Sequence, residues 1–233
     1  MNAGSQAHKL TSSVADKRGK LIVLEGPEGA GKTTQHRRVS EWLRARGHTV
    51  AAFREPGGTA LGDDVRRLLL DSPDGYVSDG AEALLYMASR AELVERAIRP
   101  ALAEGAIVVL DRFFLATYAY QVTGRGLPEP EVRAANQLAA GGLVPDLTLL
   151  LMLPAADGLA RADRRGERDR LERADAAFHE RVARAYADFA NERWQLAHPE
   201  CGAIVAVDAR GSEAEVFARV VEVLRRRWPE TFP

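Results

Sequence analysis

The sequence predicts an α/β fold, a three-layer sandwich in which helices cover both faces of a five-stranded parallel sheet. Five short apolar runs are spread along the chain, and longer amphipathic segments separate them. Continuous apolar runs are typical of strands buried on both faces, and their alternation with helices favours a parallel sheet. A glycine-rich turn follows the first run. Ligands of such sheets bind beyond the carboxyl ends of the strands, so we expect the functional residues just after the runs.

The predicted strands and helices follow from hydrophobic periodicity. The strands are expected at residues 20–26, 48–55, 106–112, 146–154 and 203–209. Apolar residues at three- and four-residue spacing predict helices at residues 33–46, 61–70, 81–98, 129–140, 178–189 and 213–227. Gly47 stands where a helix ends, and Pro130 falls in a first helical turn, where proline is favoured.

Composition indicates one globular domain without a membrane span. The chain has 233 residues, 46% apolar and 28% charged, with a formal net charge of −1. This balance gives no sign of general nucleic-acid or membrane binding. Residues 1–18 are polar and predicted to be a disordered tail, which leaves 19–233 as a single domain. The one cysteine, Cys201, excludes an intrachain disulfide and favours a reducing, cytoplasmic compartment.

A phosphate-binding loop connects the first strand to the first helix. The pattern G-x-x-x-x-G-K-[ST] runs from Gly26 to Thr33 in its expected strand–loop–helix context, which predicts a P-loop NTPase-type fold. Lys32 can reach the β- and γ-phosphates of ATP, and the Thr33 hydroxyl can bind Mg²⁺. The guanine-reading N-K-x-D of a GTPase is absent, while a hydrolase stays open here. The predicted ATP-binding loop comprises Gly26, Pro27, Glu28, Gly29, Ala30, Gly31, Lys32, Thr33 and Thr34.

Four stretches in order carry a resemblance to a known family. They are EGPEGAGKTT, FREPGGTALGDDVRRLLL, LLYMASRAELV and DRFFLATYAYQ. Together they closely resemble thymidylate kinase (dTMP kinase) of the bacterial type, from about Lys20 to the last helix. The resemblance implies transfer of the γ-phosphoryl group of ATP to dTMP, with Mg²⁺, giving dTDP and ADP. It also implies a homodimer, with the helices that carry Arg66 and Tyr86 as candidate interface segments.

The resemblance assigns residues that bind the acceptor phosphate and sugar. Asp111 and Arg112 end the third strand; the carboxylate can hold the water shell of Mg²⁺, and the arginine is expected to grip the dTMP phosphate. Arg66 matches a second phosphate-binding arginine. Glu28 matches an acidic residue near the deoxyribose 3′-hydroxyl, so it serves the acceptor although it lies within the ATP loop. Glu55 is interpreted with equal weight as a residue that supports this site or as a member of an ordinary salt bridge.

A second group of matching residues is expected to bind thymine. Tyr86 and Arg90 stand four residues apart on one helix face; the ring can stack on the base and the guanidinium can donate to a base carbonyl. Thr117 and Gln121 match positions that read the O4/N3 edge, which separates thymine from cytosine. Ala116 replaces the family's serine beside Thr117, which removes one expected hydrogen bond.

Charge neutralisation during transfer is expected from a lid. Residues 158–172 carry many interleaved charges, typical of a solvated surface, but in the family this segment closes over ATP. Some relatives place a catalytic arginine within the phosphate loop, where this chain has Gly29. The role therefore falls to the lid, with Arg165 as the best match and Arg161 against adenine. Other registers leave Arg161, Arg164, Arg168 or Arg170 as the catalytic arginine.

Two alternatives to a dTMP kinase remain at this stage. A kinase for another nucleotide, or for a deoxynucleoside, would share the phosphate loop but prefer a different acceptor. A P-loop regulatory protein that hydrolyses ATP slowly would turn over ATP without responding to dTMP. The acceptor motifs argue against the second alternative, and a panel of acceptors separates the first.

Overall fold

The computed structural model describes residues 18–154, 157–158, 160–161, 170–171 and 173–233. The tail predicted for residues 1–18 and most of the predicted lid, including Arg165, therefore lie outside the described residues. Arg18 is an exception, because its guanidinium forms an ion pair with Asp146 at 2.8 Å. The prediction had placed this residue at the end of the tail.

The sheet has five parallel strands, and all five were predicted. They are β1 (Leu21–Glu25), β2 (Val50–Arg54), β3 (Ile107–Asp111), β4 (Leu147–Met152) and β5 (Ile204–Asp208). The strand order is β2-β3-β1-β4-β5. Neighbouring strands are parallel throughout, and Leu24 of β1 pairs with Asp111 of β3. The carboxyl ends of β1, β2 and β3 therefore meet at one edge of the sheet.

Each of the six predicted helices is observed within a few residues of its predicted position. The α-helices of the described residues are α1 (Lys32–Arg44), α2 (Ala60–Leu70), α3 (Asp79–Leu93), α4 (Arg99–Ala103), α5 (Phe114–Thr117), α6 (Glu129–Ala140), α7 (Ala176–Asp188), α8 (Glu192–Ala197) and α9 (Glu213–Arg227). The short helices α4, α5 and α8 were not predicted. Among the described helices, none has the length and apolar character needed to cross a membrane.

Two hydrophobic clusters pack on opposite faces of the sheet. Successive side chains of a strand point to opposite faces, so β1 contributes to both clusters. Leu21 and Val23 pack with Leu93 of α3 and other residues of one layer. Ile22 and Leu24 pack with Val39 of α1 and with side chains of α9 in the other layer. The three-layer sandwich that the sequence predicts is the observed architecture.

Two π-helical turns interrupt the helical layer. Val94–Ile98 joins α3 to α4, and Tyr118–Gly124 continues α5. The second turn is important for the site, because it carries Tyr120 and Gln121. Hydrophobic periodicity does not distinguish a π-turn from an α-helical turn, so neither was predicted.

Candidate active site

The loop between β1 and α1 forms a phosphate cradle. Gly26, Gly29 and Gly31 have φ values of 149°, 70° and 86°, in the region that favours glycine. A Cβ atom at Gly26 would lie 2.5 Å from the carbonyl oxygen of Leu151, so the close approach of β4 also requires glycine. Helix α1 begins at Lys32. The positive end of its dipole therefore faces the loop, which suits a bound anion there.

Lys32 is buried beside this loop, and its surroundings change the pKa of its ammonium group. Its Nζ donates to the carbonyl oxygen of Pro27 at 2.8 Å. Burial, with the neighbouring charge of Arg112, lowers the pKa of Lys32 from 10.5 to about 8. A polyanion in the cradle would favour the ammonium form and reverse this shift.

Thr33 and Asp111 come together at the carboxyl edge of the sheet. The Thr33 hydroxyl donates to Asp111 Oδ2 at 2.9 Å, although the two residues are 78 positions apart. Both were predicted as metal ligands, and the fold brings their oxygen atoms to one point. Hydroxyl and carboxylate oxygens are suitable ligands for Mg²⁺, which commonly keeps several of its waters.

Two cavities open at this edge and share part of their walls. The P-loop cleft is lined by the loop, the start of α1, Arg161 and residues that follow β5. The inner cavity lies behind it and is lined by predicted thymine-binding residues, which are Tyr86, Arg90, Thr117 and Gln121. Residues on both linings include Glu28, Glu55, Arg66 and Arg112. These four charged side chains mark the place where contents of the two cavities would meet.

Arg112 is held at this junction in an unusual backbone conformation. Its φ is 70°, the only positive value among the described non-glycine residues. The guanidinium donates to the hydroxyls of Tyr186 at 3.0 Å and Tyr120 at 3.3 Å. Glu28 Oε2 lies 3.5 Å from Nη2 of the same guanidinium. These partners hold the guanidinium at the junction, where its positive charge suits the predicted contact with a phosphate.

Arg66 reaches the junction from α2. Its Nη1 donates to the carbonyl oxygen of Pro56 at 3.1 Å. The neighbouring Arg67 is exposed and paired with Asp64 instead. Arg66 is therefore directed to the site, whereas Arg67 lies on the surface.

Glu25, the last residue of β1, holds the chain segment that follows β3 in place. One carboxylate oxygen accepts from the backbone N–H of Phe113 at 2.7 Å and of Ala116 at 3.1 Å. The other accepts from the Tyr186 hydroxyl at 3.2 Å. Burial raises the pKa of Glu25, opposed by the nearby charge of Arg112. Glu25 thus fixes the segment that carries Arg112 and Thr117, a structural role.

Arg90 lies in the inner cavity, but its donors are already used. Nε and Nη2 donate to Glu55, Nη2 donates to the carbonyl oxygen of Phe113, and Nη1 donates to Thr117 and Asn136. A guanidinium has five N–H donors, and this arrangement satisfies all of them. A direct contact from Arg90 to a base carbonyl would therefore displace an existing bond. The pair with Glu55 is buried, with side chains 2% and 4% exposed, so Glu55 supports Arg90.

A family model described as thymidylate kinase matches residues 24–201 of the chain. A thymidylate kinase of Deinococcus radiodurans is 47% identical over 209 residues, which cover 90% of this chain and 98% of the relative. One from a Synechococcus species is 49% identical over 209 residues, covering 90% and 96%. The chain belongs to the thymidylate kinase family.

The crystal structure of thymidylate kinase from Ehrlichia chaffeensis matches this fold with a TM-score of 0.69. Its sequence is 27% identical, and the match covers 89% of this chain and 99% of that one. Membership in the thymidylate kinase family confirms the predicted P-loop fold and phosphotransferase class. It also confirms the predicted reaction, phosphorylation of dTMP by ATP to give dTDP.

Within this thymidylate kinase, Gly29 is enclosed by the chain that follows β4. A Cβ atom at Gly29 would lie 2.1 Å from the carbonyl oxygen of Gly158. An arginine side chain cannot be accommodated there in this arrangement.

The predicted lid arginines are divided by their surroundings. Arg165, Arg164 and Arg168 lie outside the described residues. Arg161 lines the P-loop cleft and donates to the carbonyl oxygen of Ala209 at 3.2 Å. Arg170 is buried and donates to the carbonyl oxygen of Leu69 and to Glu82, away from the phosphate cradle. In the alternative register that makes Arg170 the catalytic arginine, Arg170 would have to break these hydrogen bonds to reach ATP.

Two residues of the inner cavity region were missed from the sequence. Glu82 is fully buried and accepts hydrogen bonds from Gln121, Arg125 and Arg170. His179 lines the inner cavity, and its buried Nε2 has no hydrogen-bond partner among the described residues. The spacing of Glu82 before Tyr86 on one helix was the only signal for the first, and none pointed to the second.

Proposed function

We propose that the reaction of this thymidylate kinase takes place where the P-loop cleft meets the inner cavity. ATP would occupy the cleft and dTMP the inner cavity, with the reacting phosphates between Glu28 and Arg112. The observation that carries this proposal is the shared lining of the two cavities by Glu28, Glu55, Arg66 and Arg112. The guanidinium groups of Arg66 and Arg112 at the shared wall suit the phosphates, and the ring of Tyr86 and the amide of Gln121 in the inner cavity suit a base.

On the donor side, the loop from Gly26 to Thr34 would hold the phosphates of ATP. Lys32 would supply a positive charge, which bound phosphates would favour. Arg161, which lines the cleft, would lie against adenine. Thr33 and Asp111 would hold Mg²⁺, supported by their oxygen atoms 2.9 Å apart. When bound, Mg²⁺ neutralises charge that develops on the β- and γ-phosphate oxygens.

On the acceptor side, Arg112 and Arg66 would bind the phosphate of dTMP, and Glu28 would accept a hydrogen bond from the 3′-hydroxyl. Tyr86 would stack on thymine, while Thr117 and Gln121 would read its O4/N3 edge. Arg90 contributes through Thr117, because its donors already bind protein groups. No protein base is needed, since a phosphate oxygen is already nucleophilic, so catalysis rests on alignment and charge neutralisation.

We place residues 19–233 in one catalytic domain, with residues 158–172 as a lid that brings Arg165 to the γ-phosphate. Two contacts support a closing segment here. The backbone of Gly158 packs against Gly29 and Glu28 of the loop, and Arg170 anchors the far end to α2 and α3. Closure would exclude water, so the acceptor phosphate attacks rather than solvent.

A second copy of the chain would cover an apolar face formed by α2, α3 and α6. Exposed leucines on these helices are Leu61 (49%), Leu68 (36%), Leu84 (64%) and Leu138 (85%). Neighbouring exposed apolar side chains are a common feature of interfaces, which supports a homodimer. Light scattering that finds only monomers at micromolar concentration, with no change on Leu84→Glu, would oppose it. A cytoplasmic location is supported by Cys201, which is free and buried.

A coupled ADP-release assay with an acceptor panel tests the assignment. ATP and Mg²⁺ are incubated with dTMP, dUMP, dCMP, dGMP or thymidine, and with no acceptor. We expect turnover that requires dTMP and Mg²⁺ and is lost with excess chelator. Phosphorylation of thymidine but not of dTMP would assign a deoxynucleoside kinase, and ATP turnover indifferent to dTMP would assign a regulatory ATPase.

A further inference from the structure

Glu82 is a buried carboxylate at the start of α3 with three different side-chain partners. Gln121 Nε2 donates to Oε1 at 3.0 Å, and Arg125 donates through Nε and Nη2 at 3.2 and 2.9 Å. Arg170 Nη2 donates to Oε2 at 2.5 Å. Burial alone would raise the pKa of Glu82, but hydrogen bonds and charge from Arg125 and Arg170 outweigh it and lower the pKa. The carboxylate is therefore ionised and can only accept hydrogen bonds.

This acceptor fixes which way the Gln121 amide points. An amide has one donor end and one acceptor end, and an ionised carboxylate can bind only the donor end. With Nε2 held by Glu82, Oε1 is left for the inner cavity, which Gln121 lines. The described residues contain no hydrogen-bond donor to this Oε1, and Gln121 is 2% exposed. The cavity therefore presents an acceptor at this point.

Arg90 leaves the neighbouring Thr117 hydroxyl as a hydrogen-bond donor, whereas Gln121 is left as an acceptor. Its Nη1 donates to Thr117 Oγ1 at 2.9 Å, so the Thr117 hydroxyl has its proton free for another acceptor. Thr117 can thus donate where Gln121 accepts. Thymine offers an acceptor at O4 beside a donor at N3, whereas cytosine offers a donor at N4 beside an acceptor at N3. The pair matches thymine and opposes cytosine.

We propose that Glu82 is a positioning residue for base selection: it holds the Gln121 amide with Oε1 facing the nucleotide base, and so disfavours cytosine nucleotides. The inference rests on the proposed placement of thymine in the inner cavity. Glu82 itself does not touch the base. Its effect passes through Gln121, and the two arginines keep it ionised.

A purely structural role for Glu82 makes a different prediction. Arg125 joins Glu82 to the π-helical turn, and Arg170 joins it to the end of α2, so loss of the carboxylate also loosens these contacts. Loosening alone would reduce turnover of dTMP and dCMP by similar factors. A positioning role changes the ratio between them.

The test compares kcat/KM for dTMP and dCMP in the full-length enzyme and its variants. In Glu82→Gln the new amide can donate as well as accept, so Gln121 is free to rotate and offer Nε2 to N3 of cytosine. We expect the dTMP-to-dCMP ratio of kcat/KM to fall about tenfold or more. Asp79→Asn is the matched control, because Asp79 also pairs with Arg125, at 3.4 Å, but makes no described contact with Gln121. Its ratio should stay that of the wild type.

Two further variants keep the test decisive. Gln121→Met retains Glu82 with both arginines and removes the amide, so the ratio should fall as well. If Gln121→Met lowers the ratio and folded Glu82→Gln does not, the positioning role of Glu82 is refuted while the base contact stands. If neither changes it, thymine does not meet Gln121 and both proposals fail. Should Glu82→Gln not fold, Glu82→Asp keeps the charge but withdraws the oxygen from Gln121, and an unchanged ratio in that variant overturns the inference.

Discussion

Glu28 and Arg112 face each other at the junction of the two cavities, with Glu28 Oε2 3.5 Å from Arg112 Nη2. Glu28 belongs to the phosphate loop, and Arg112 follows the strand next to β1. In the proposed arrangement, the loop contributes one acidic side chain to the acceptor side while its backbone serves the donor. Both residues line both cavities, so measuring each substrate separately in their variants shows which half-site each side chain serves.

Exchanging Glu28 for glutamine should weaken the acceptor half-site alone. The neutral amide is a poorer hydrogen-bond acceptor for the 3′-hydroxyl, so we expect kcat/KM for dTMP to fall about tenfold, on the scale of a lost charged hydrogen bond. Binding of ATP, measured by calorimetry, should persist. Loss of ATP binding with an unchanged KM for dTMP would place Glu28 on the donor side instead.

Binding of ATP should be linked to proton uptake by Lys32 in alkaline solution. The pKa of Lys32 in the free protein is about 8, below its ordinary 10.5, because of burial and the charge of Arg112. Above pH 8 the free site is increasingly neutral, and the phosphates of ATP restore the ammonium form, so affinity should fall as the pH rises. The same shift means that the unfolded chain holds more protons between these two values, so this residue's contribution to stability rises with pH there.

Calorimetry at pH 8.5 in buffers of different ionisation enthalpy measures this uptake directly. We expect a fraction of one proton taken up per ATP, and a smaller fraction at pH 7, where Lys32 is already charged. Equal uptake at both pH values, or none at pH 8.5, would mean that Lys32 is fully protonated in the free enzyme.

Removal of the Glu55 carboxylate should destabilise the fold strongly. Glu55→Ala leaves the fully buried guanidinium of Arg90 without its counter-charge, which typically costs about 3–5 kcal/mol. Glu41→Ala is a suitable control, because the pair of Arg37 and Glu41 is exposed on one helix and should contribute less than about 1 kcal/mol. Urea unfolding of the two variants compares these free energies. A loss of unfolding free energy in Glu55→Ala as small as that in Glu41→Ala would show that stability does not require the buried pair.

Much of the fold was predictable because local signals and burial agree. The strands β1 and β3 are buried along their whole length, so they appear as continuous apolar runs in the sequence. Helices α6 and α9 begin and end where predicted, helped by Pro130 in the first turn of one and the capping box of Ser212 and Glu215 in the other. These signals lie within a few residues of each other, so a single sequence contains them.

The site was predictable in its motifs but not in its networks. Lys32, Thr33, Asp111 and Arg112 follow strands directly, and parallel strands bring such positions together. The partners of Glu82 lie 39, 43 and 88 residues from it, and no local pattern connects them. The saturation of Arg90 by Glu55, Phe113 and Asn136 is equally a product of tertiary packing. The sequence shows that Arg90 is a residue type that can bind a base, but it does not show that the N–H donors of Arg90 already bind protein groups.

Arg165 should act in the chemical step rather than in binding. Gly29 offers no room for an arginine. We proposed above that the lid supplies positive charge to the γ-phosphate through Arg165. We expect Arg165→Ala to lower kcat by about 10³-fold with little change in affinity for dTMP, as for arginine fingers elsewhere. Arg173→Ala is a control with an exposed arginine just beyond the lid. An unchanged kcat would move the role to Arg161, Arg164 or Arg168, since Arg170 is engaged with Glu82.

The most direct test follows the phosphoryl group itself. ATP labelled in its γ-phosphate is incubated with dTMP and the enzyme, and the products are separated by anion-exchange chromatography. We predict that the label appears in the terminal phosphate of dTDP, with one ADP formed for each dTDP. Label released as inorganic phosphate at a rate independent of dTMP would contradict direct transfer between the two cavities.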